Sequence, residues 1–214
     1  TSSINPQIFR EYDIRGIVGQ DLTAESVASI GKAIGTYIKR GGGKTMIIGR
    51  DVRTSSIEFR DILSKALNST GCDVIDIGMV PTPVTYFALH HFKADGGVMI
   101  TGSHNPPEYN GFKISQGVHS LYGEKVQELK RLIDANDFEI GTGNTSQREV
   151  LGHYMEKICS ILKISRKVKV VVDGGNGCFG IVGPDLLRKL GQNPIELFSE
   201  PDGTFPNHHP DPTV

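Results

Sequence analysis

Apolar positions along the chain switch repeatedly between two periods, and that switching predicts the architecture. Over residues 22–40, Val27, Ile30, Ile34, Tyr37 and Ile38 recur three and four apart, the stripe of an amphipathic helix. Gly41, Gly42 and Gly43 close it with residues that tolerate left-handed backbone. Residues 45–49 form a short apolar run that reads as a buried strand. Ser55 or Ser56 is placed to cap a second helix with the stripe Phe59, Ile62, Leu63, Ala66 and Leu67, which Gly71 terminates. Residues 74–77 return to strand. Thr82 with Pro83 then opens a third helix through Val84, Phe87, Ala88 and His91, leading to a strand over 98–101. Alternating strands and helices imply right-handed crossovers, so the fold class is α/β: a mostly parallel mixed sheet sandwiched by helices.

A further helix over 124–135 precedes the polar stretch 136–147, where Gly141, Thr142, Gly143, Asn144, Thr145 and Ser146 read as a linker. The chain divides there into a first domain, 1–145, and a second unit, 146–214. After a bridging helix at about 149–162, a strand over 168–172 turns at 173–177 into a helix with Leu186, Leu187 and Leu190, ended by Gly191. A strand at 195–198 follows. Prolines at 201, 206, 210 and 212 exclude an interior strand or helix from the last segment. Two strands and one helix hardly bury a sheet on both faces, so the second unit is expected to be an incomplete α/β domain of the same type.

Charge narrows the range of partners. Lys and Arg number 23 against 24 Asp and Glu, a formal charge of −1 that supplies no positive field for nucleic acid or anionic lipid. Apolar runs such as 170–172 fall far short of the roughly 20 residues of a membrane span, and the polar start 1–5 lacks a signal-peptide core. The expected location is cytoplasmic. Cys72, Cys159 and Cys178 are odd in number and form no CxxC pair, so they read as reduced core residues. The 26 glycines and 11 prolines predict many turns, and turns carry chemistry.

The most informative turn is Thr101-Gly102-Ser103-His104-Asn105-Pro106-Pro107-Glu108-Tyr109-Asn110-Gly111-Phe112-Lys113-Ile114, directly after an apolar strand. In open α/β sheets ligands bind at the carboxyl ends of strands. Gly102 permits an unusual turn, the paired prolines stiffen the loop, and Gly111 allows close backbone approach before Lys113. Ser103 has the chemistry of a nucleophile or phosphoryl carrier, with His104 as a proton donor and Lys113 as a fixed positive charge. A polar loop in which Ser103 caps a turn and His104 is solvated fits the same spacing.

That run, with Glu11-Tyr12-Asp13-Ile14-Arg15-Gly16 and Gly49-Arg50-Asp51-Val52-Arg53-Thr54-Ser55-Ser56, closely resembles the α-D-phosphohexomutase family, in particular its phosphomannomutase/phosphoglucomutase branch. Asp173-Gly174-Gly175-Asn176-Gly177 and Pro201-Asp202-Gly203-Thr204-Phe205-Pro206 resemble its second domain, so the likeness spans the whole chain. The resemblance implies a mutase that interconverts hexose 1- and 6-phosphates through a bisphosphorylated sugar. Ser103 carries the phosphoryl group and, once phosphorylated, is a ligand of Mg²⁺. His104 and Lys113 are adjacent catalytic groups, Lys113 being the better candidate for charge stabilisation or proton movement at the reacting sugar hydroxyl; Tyr12 and Arg15 bind substrate, and glucose 1,6-bisphosphate or a similar compound is the activator. The family's metal loop, expected to resemble Asp-Gly-Asp-Gly-Asp-Arg, is absent from the 214 residues. The resemblance therefore implies an amino-terminal fragment without the remaining mutase domains, inactive alone. A non-catalytic phosphosugar-binding module and a phosphoglucosamine mutase are the alternatives.

Other signals carry less. Gly43-Lys44-Thr45 has Ile38 where a P-loop needs glycine, and Ser103 lacks the closing glycine of a G-x-S-x-G elbow, so a serine hydrolase needs an unrelated arrangement with His90, His91 or His153. His208, His209 and Asp211 read as solvated, not metal-binding, and 173–177 as a tight turn. Arg50, Asp51 and Arg53 are expected to brace the Ser103 loop.

Overall fold

The computed structural model describes residues 4–213; the first three residues of the polar start, and Val214 at the end of the proline-rich segment, lie outside it. The elements are β1 (Ile14–Ile17), α1 (Ala24–Arg40), β2 (Thr45–Arg50), α2 (Ser55–Ser69), β3 (Asp73–Met79), α3 (Thr82–His91), β4 (Gly96–Ile100), β5 (Tyr109–Gln116), β6 (His119–Ser120), α4 (Glu124–Asp134), β7 (Thr145–Gln147), α5 (Leu151–Ile161), β8 (Val171–Asp173), α6 (Gly183–Lys189) and β9 (Ile195–Leu197). The main sheet runs β1-β5-β4-β2-β3-β7, with β6 on β5. It is parallel from β4 through β2 and β3 to β7, as crossover helices require. From β4 to β1 it is antiparallel. Residues 101–108 are too few for a crossover, so the chain can only turn back on itself as β5.

The sheet is covered on both sides. Met46 and Ile48 belong to the core shared with α1, α2 and α4, while Ile47 between them belongs to the core shared with α3 and, at its margin, α5. All three are fully buried, which is why β2 reads as a continuous apolar run. α1 starts on a capping box: the Ser26 amide donates to Thr23 Oγ1 at 3.2 Å, and the Thr23 amide to Ser26 Oγ at 2.8 Å. α2 starts differently from expectation, because neither serine caps it. Ser56 Oγ donates to Asp51 instead, and Ser55 accepts from Asn110.

The polar stretch before residue 148 is not free chain. The Gly141 amide donates to the Ser69 carbonyl at 2.8 Å, and residues 145–147 add β7 to the edge of β3. All three β7 residues are exposed, so no apolar period marks them as strand. After β7, α5 lays Leu151 and Tyr154 against the α3 side of the sheet. β8 and β9 form a separate parallel pair with Val171, Ile195 and Leu197 exposed. Among the described residues, no helix is long and apolar enough to cross a membrane.

Candidate active site

Ser103 lies in the turn that joins β4 to β5. Thr101 and Gly102 are buried and Ser103 is half-buried. The turn holds Ser103 at φ +54°, a left-handed conformation that costs a side-chain-bearing residue about 1–2 kcal/mol. Its amide donates to Thr101 Oγ1 at 2.9 Å, and the Asn105 amide to the Gly102 carbonyl at 3.0 Å. The Ser103 hydroxyl makes no hydrogen bond within the described residues, which leaves both its proton and its lone pairs for a ligand.

Arg53, only 1% exposed, sits beneath this turn and uses all five guanidinium donors. Nε donates to Asp51 Oδ2 at 3.1 Å. Nη1 donates to the carbonyls of Pro106 and Tyr109 at 2.6 and 2.9 Å, and Nη2 to those of Ser103 and Asn105 at 3.1 and 2.7 Å. Burial pulls the Arg53 pKa down, opposed by the Asp51 carboxylate. Asp51 is held in turn by the Arg53 amide at 3.0 Å and Ser56 Oγ at 2.7 Å, and Asn110 Nδ2 donates to Ser55 and Ser56 at 2.8 and 3.0 Å. A Cβ on Gly102 would lie 2.5 Å from Arg53 Cζ, so that position must be glycine. Arg53 and Asp51 brace the loop as expected, while the Arg50 side chain, among the described residues, donates to the Asp51 carbonyl alone, at 3.2 Å.

Beside the turn, over the α3 face, opens a cavity of about 520 Å³ lined by Ser103, His104, Met99, Phe205, Asp173 and His208 among others. His104 Nδ1 lies 3.0 Å from the Pro210 carbonyl. A carbonyl only accepts, so Nδ1 carries the proton and Nε2 of the neutral ring is the acceptor. Across the cavity His208 Nε2 sits 3.0 Å from both oxygens of Asp173. The His209 carbonyl and then Asp173 raise the His208 pKa; His208 and then the Gly175 amide lower that of Asp173. Burial pushes the Cys178 thiol in the cavity wall up to about 12.

Arg15 and Lys113 stand further along the same face. Arg15 pairs with Gly111 across β1–β5, Lys113 lies two residues on, and Met99 opposite Lys113 belongs to the α3-side core. Residues two apart on a strand share a face, so Arg15, Lys113 and the cavity are on one side of the sheet. Arg15 is ion-paired with Asp13 and donates to Asn105 Oδ1 at 2.7 Å. Lys113 Nζ reaches the same Asp13 oxygen at 3.4 Å, so two cations share one carboxylate. Arg15 Nε is buried without a partner among the described residues. Tyr12 stands apart, 72% exposed.

The structure thus brings Ser103 and His104 together at the cavity, ties Arg15 to their loop through Asn105, and joins Lys113 to Arg15 through Asp13. Sequence reasoning did not single out Asn105, Asn110 or Phe205; the first two lie within the run already read as chemical, and Phe205 is a lone aromatic in a proline-rich segment. Among the described residues no three His, Cys, Asp or Glu side chains converge as for a metal ion, and His208 turns to Asp173, not Asp211. Mg²⁺ takes near-octahedral oxygen ligation with carboxylates, so the side chains present do not by themselves fit it.

Comparison with known proteins agrees with this layout. Residues 6–139 match the family model described as phosphoglucomutase/phosphomannomutase, alpha/beta/alpha domain I, and residues 152–214 match its domain II. A phosphomannomutase/phosphoglucomutase of Pseudomonas aeruginosa is 47% identical over 205 residues, 96% of this chain and 44% of that protein. A phosphoglucomutase of Neisseria meningitidis serogroup B is 42% identical over 214 residues, 99% of this chain and 46% of its own. The crystal structure of a phosphoglucomutase/phosphomannomutase family protein from Burkholderia thailandensis superposes with a TM-score of 0.95 at 42% identity, covering 99% of this chain and 48% of that one. The chain spans less than half the length of the relatives it matches.

Proposed function

The chain belongs to the phosphoglucomutase/phosphomannomutase family, and from that premise we propose that Ser103 carries the phosphoryl group in an exchange between hexose 1- and 6-phosphates. The observation that carries the reading is a half-buried serine, hydroxyl unused, on a braced turn at a cavity within the usual size range of small-molecule sites. In one half-cycle the sugar hydroxyl oxygen bonds to the phosphorus of phospho-Ser103 while the bond from phosphorus to Oγ breaks. The hydroxyl proton passes, through His104 Nε2, to the released Oγ. The other half-cycle reverses this at the opposite end of the bisphosphorylated sugar. Lys113 supplies positive charge, and the Arg15 guanidinium, tied to Asp13 and Asn105, adds a second cation beside the turn for phosphate oxygens. Tyr12 is read as a substrate contact from the amino-terminal side. Of the two units read from the sequence, 1–145 presents the serine and residues 173–212 of 146–214 cover the cavity, while the division between the units falls inside β7. The Mg²⁺ ion that the resemblance implies finds here at most the oxygens of a phosphorylated Ser103, and no step above runs through it.

The test is intact-mass measurement after incubation with glucose 1,6-bisphosphate, on this chain and on its full gene product. One added phosphoryl group that Ser103→Ala fails to acquire is the expected result. Equal uptake by Ser103→Ala, or mutase turnover unchanged in that variant of the gene product, overturns the assignment.

A further inference from the structure

We propose that Arg53 is the positioning residue of the Ser103 turn, and that Phe205, packed on its outer face, makes that positioning depend on the 201–206 segment. The proposal rests on the reading of Ser103 as phosphoryl carrier and adds what holds it in place. Four of the five Arg53 hydrogen bonds go to carbonyls of residues 103–109, and one of these is the carbonyl of Ser103 itself. A role limited to neutralising Asp51 needs one of those bonds; the other four set the path of the turn. That path includes the left-handed conformation of Ser103, which a bond at its own carbonyl stabilises against relaxation into the ordinary region. A planar fork with five fixed donors fits four carbonyls converging on one point, whereas an ammonium has three donors on a single nitrogen.

The guanidinium is also covered by an aromatic ring. Its Cζ lies 5.3 Å from the centre of the Phe205 ring, a cation–π distance. The ring is held there by a tight turn. The Phe205 amide donates to the Asp202 carbonyl at 3.0 Å, and Thr204 donates to Asp202 Oδ1 through its amide at 2.9 Å and its hydroxyl at 2.7 Å. Gly203 is pressed so close to residue 52 that a Cβ would lie 2.5 Å from the Val52 carbonyl oxygen. Arg53 is therefore clamped between the turn it shapes and a segment about 150 residues later in the chain.

Arg53→Lys and Phe205→Leu test this with two readouts. The first is amide hydrogen exchange at Asn105 and Tyr109, whose N–H groups close bonds within the turn, referred to β2 and β4 amides as the measure of global stability. The second is the rate of phosphoryl uptake from glucose 1,6-bisphosphate as a function of its concentration. In Arg53→Lys the turn amides should exchange faster while β2 and β4 stay protected. Saturating uptake should fall on the order of tenfold or more, with the half-saturating concentration little changed, because misplacing a reacting group affects the step and not the binding. Phe205→Leu should show the same pattern at a few-fold. Unchanged turn exchange, or faster turn exchange with undiminished uptake, overturns the proposal. If Arg53→Lys fails to fold, Phe205→Leu decides: wild-type exchange at Asn105 and Tyr109 overturns the proposal, and a local rise supports it. Absence of uptake in the wild-type chain and its full gene product indicts Ser103 as carrier, while the exchange arm reports on Arg53 independently.

Discussion

At the scale of single residues, the assignment of His104 as a proton carrier depends on which ring nitrogen is free. The Pro210 carbonyl decides it, since Nδ1–H must face that oxygen at 3.0 Å. Imidazole ¹⁵N spectra of the neutral ring should show a pyrrole-like Nδ1 and a pyridine-like Nε2 for His104, and the reverse pattern would remove Nε2 as acceptor. The sequence made Ser103 and His104 visible because they fall in one dense run of turn-forming residues after an apolar strand. It made Arg53 visible only as a bracing residue, since no pattern in sequence tells that a charged side chain will be buried under a turn 50 positions away. Asn105 is hidden in the sequence for the same reason: its link to Arg15 crosses 90 residues.

At the scale of elements, sequence periodicity missed β1, β5, β6 and β7, and β5 is the one that carries the site. Asn110, Gly111, Lys113 and Ser115 interrupt its apolar pattern, yet Phe112 and Ile114 go to the α1–α2 side while Lys113 goes to the cavity side. The alternation is there, at half amplitude, because one face of this strand serves the site and not the core. Gly111 is where β5 comes closest to β1: a Cβ would meet the Ile14 carbonyl and approach Arg15 Cα to 3.1 Å. Gly111→Ala should therefore cost about 1–3 kcal/mol, the range for overpacking, read as a lower urea midpoint at unchanged slope. Because Arg15 is displaced by the same methyl, phosphoryl uptake should fall as well. The helices were more legible than this strand, since α1 and α2 each bury a full stripe. β7 was illegible throughout, being polar, exposed and recognisable only by its pairing with β3.

At the scale of the whole molecule, the carboxyl-terminal segment reaches across the cavity by two contacts, Pro210 to His104 and His208 to Asp173. The second is an ion pair only while the imidazole is charged and the carboxylate ionised. His208 has its pKa raised in the folded chain, so its contribution is complete below the ordinary histidine value of about 6.5 and is lost as pH rises through the raised one. Asp173 has its pKa lowered, so its contribution is complete above the ordinary carboxylate value of about 4 and is lost as pH falls through the lowered one. The segment is thus held best in mildly acidic solution and loosens on the alkaline side first. Following His208 by NMR should give a pKa above the ordinary value in the wild type and a lower one in Asp173→Asn. Proteolytic nicking within 207–213 should accelerate between pH 6 and 8 in the wild type relative to a reference peptide, a range chosen to bracket the histidine transition. In Asp173→Asn nicking should be faster at pH 6 and less dependent on pH across that range. A wild-type rate that tracks the reference peptide across the range would mean that the pair does not hold the segment, and the cover over Ser103 would then rest on the contact of Pro210 with His104 and of Phe205 with Arg53.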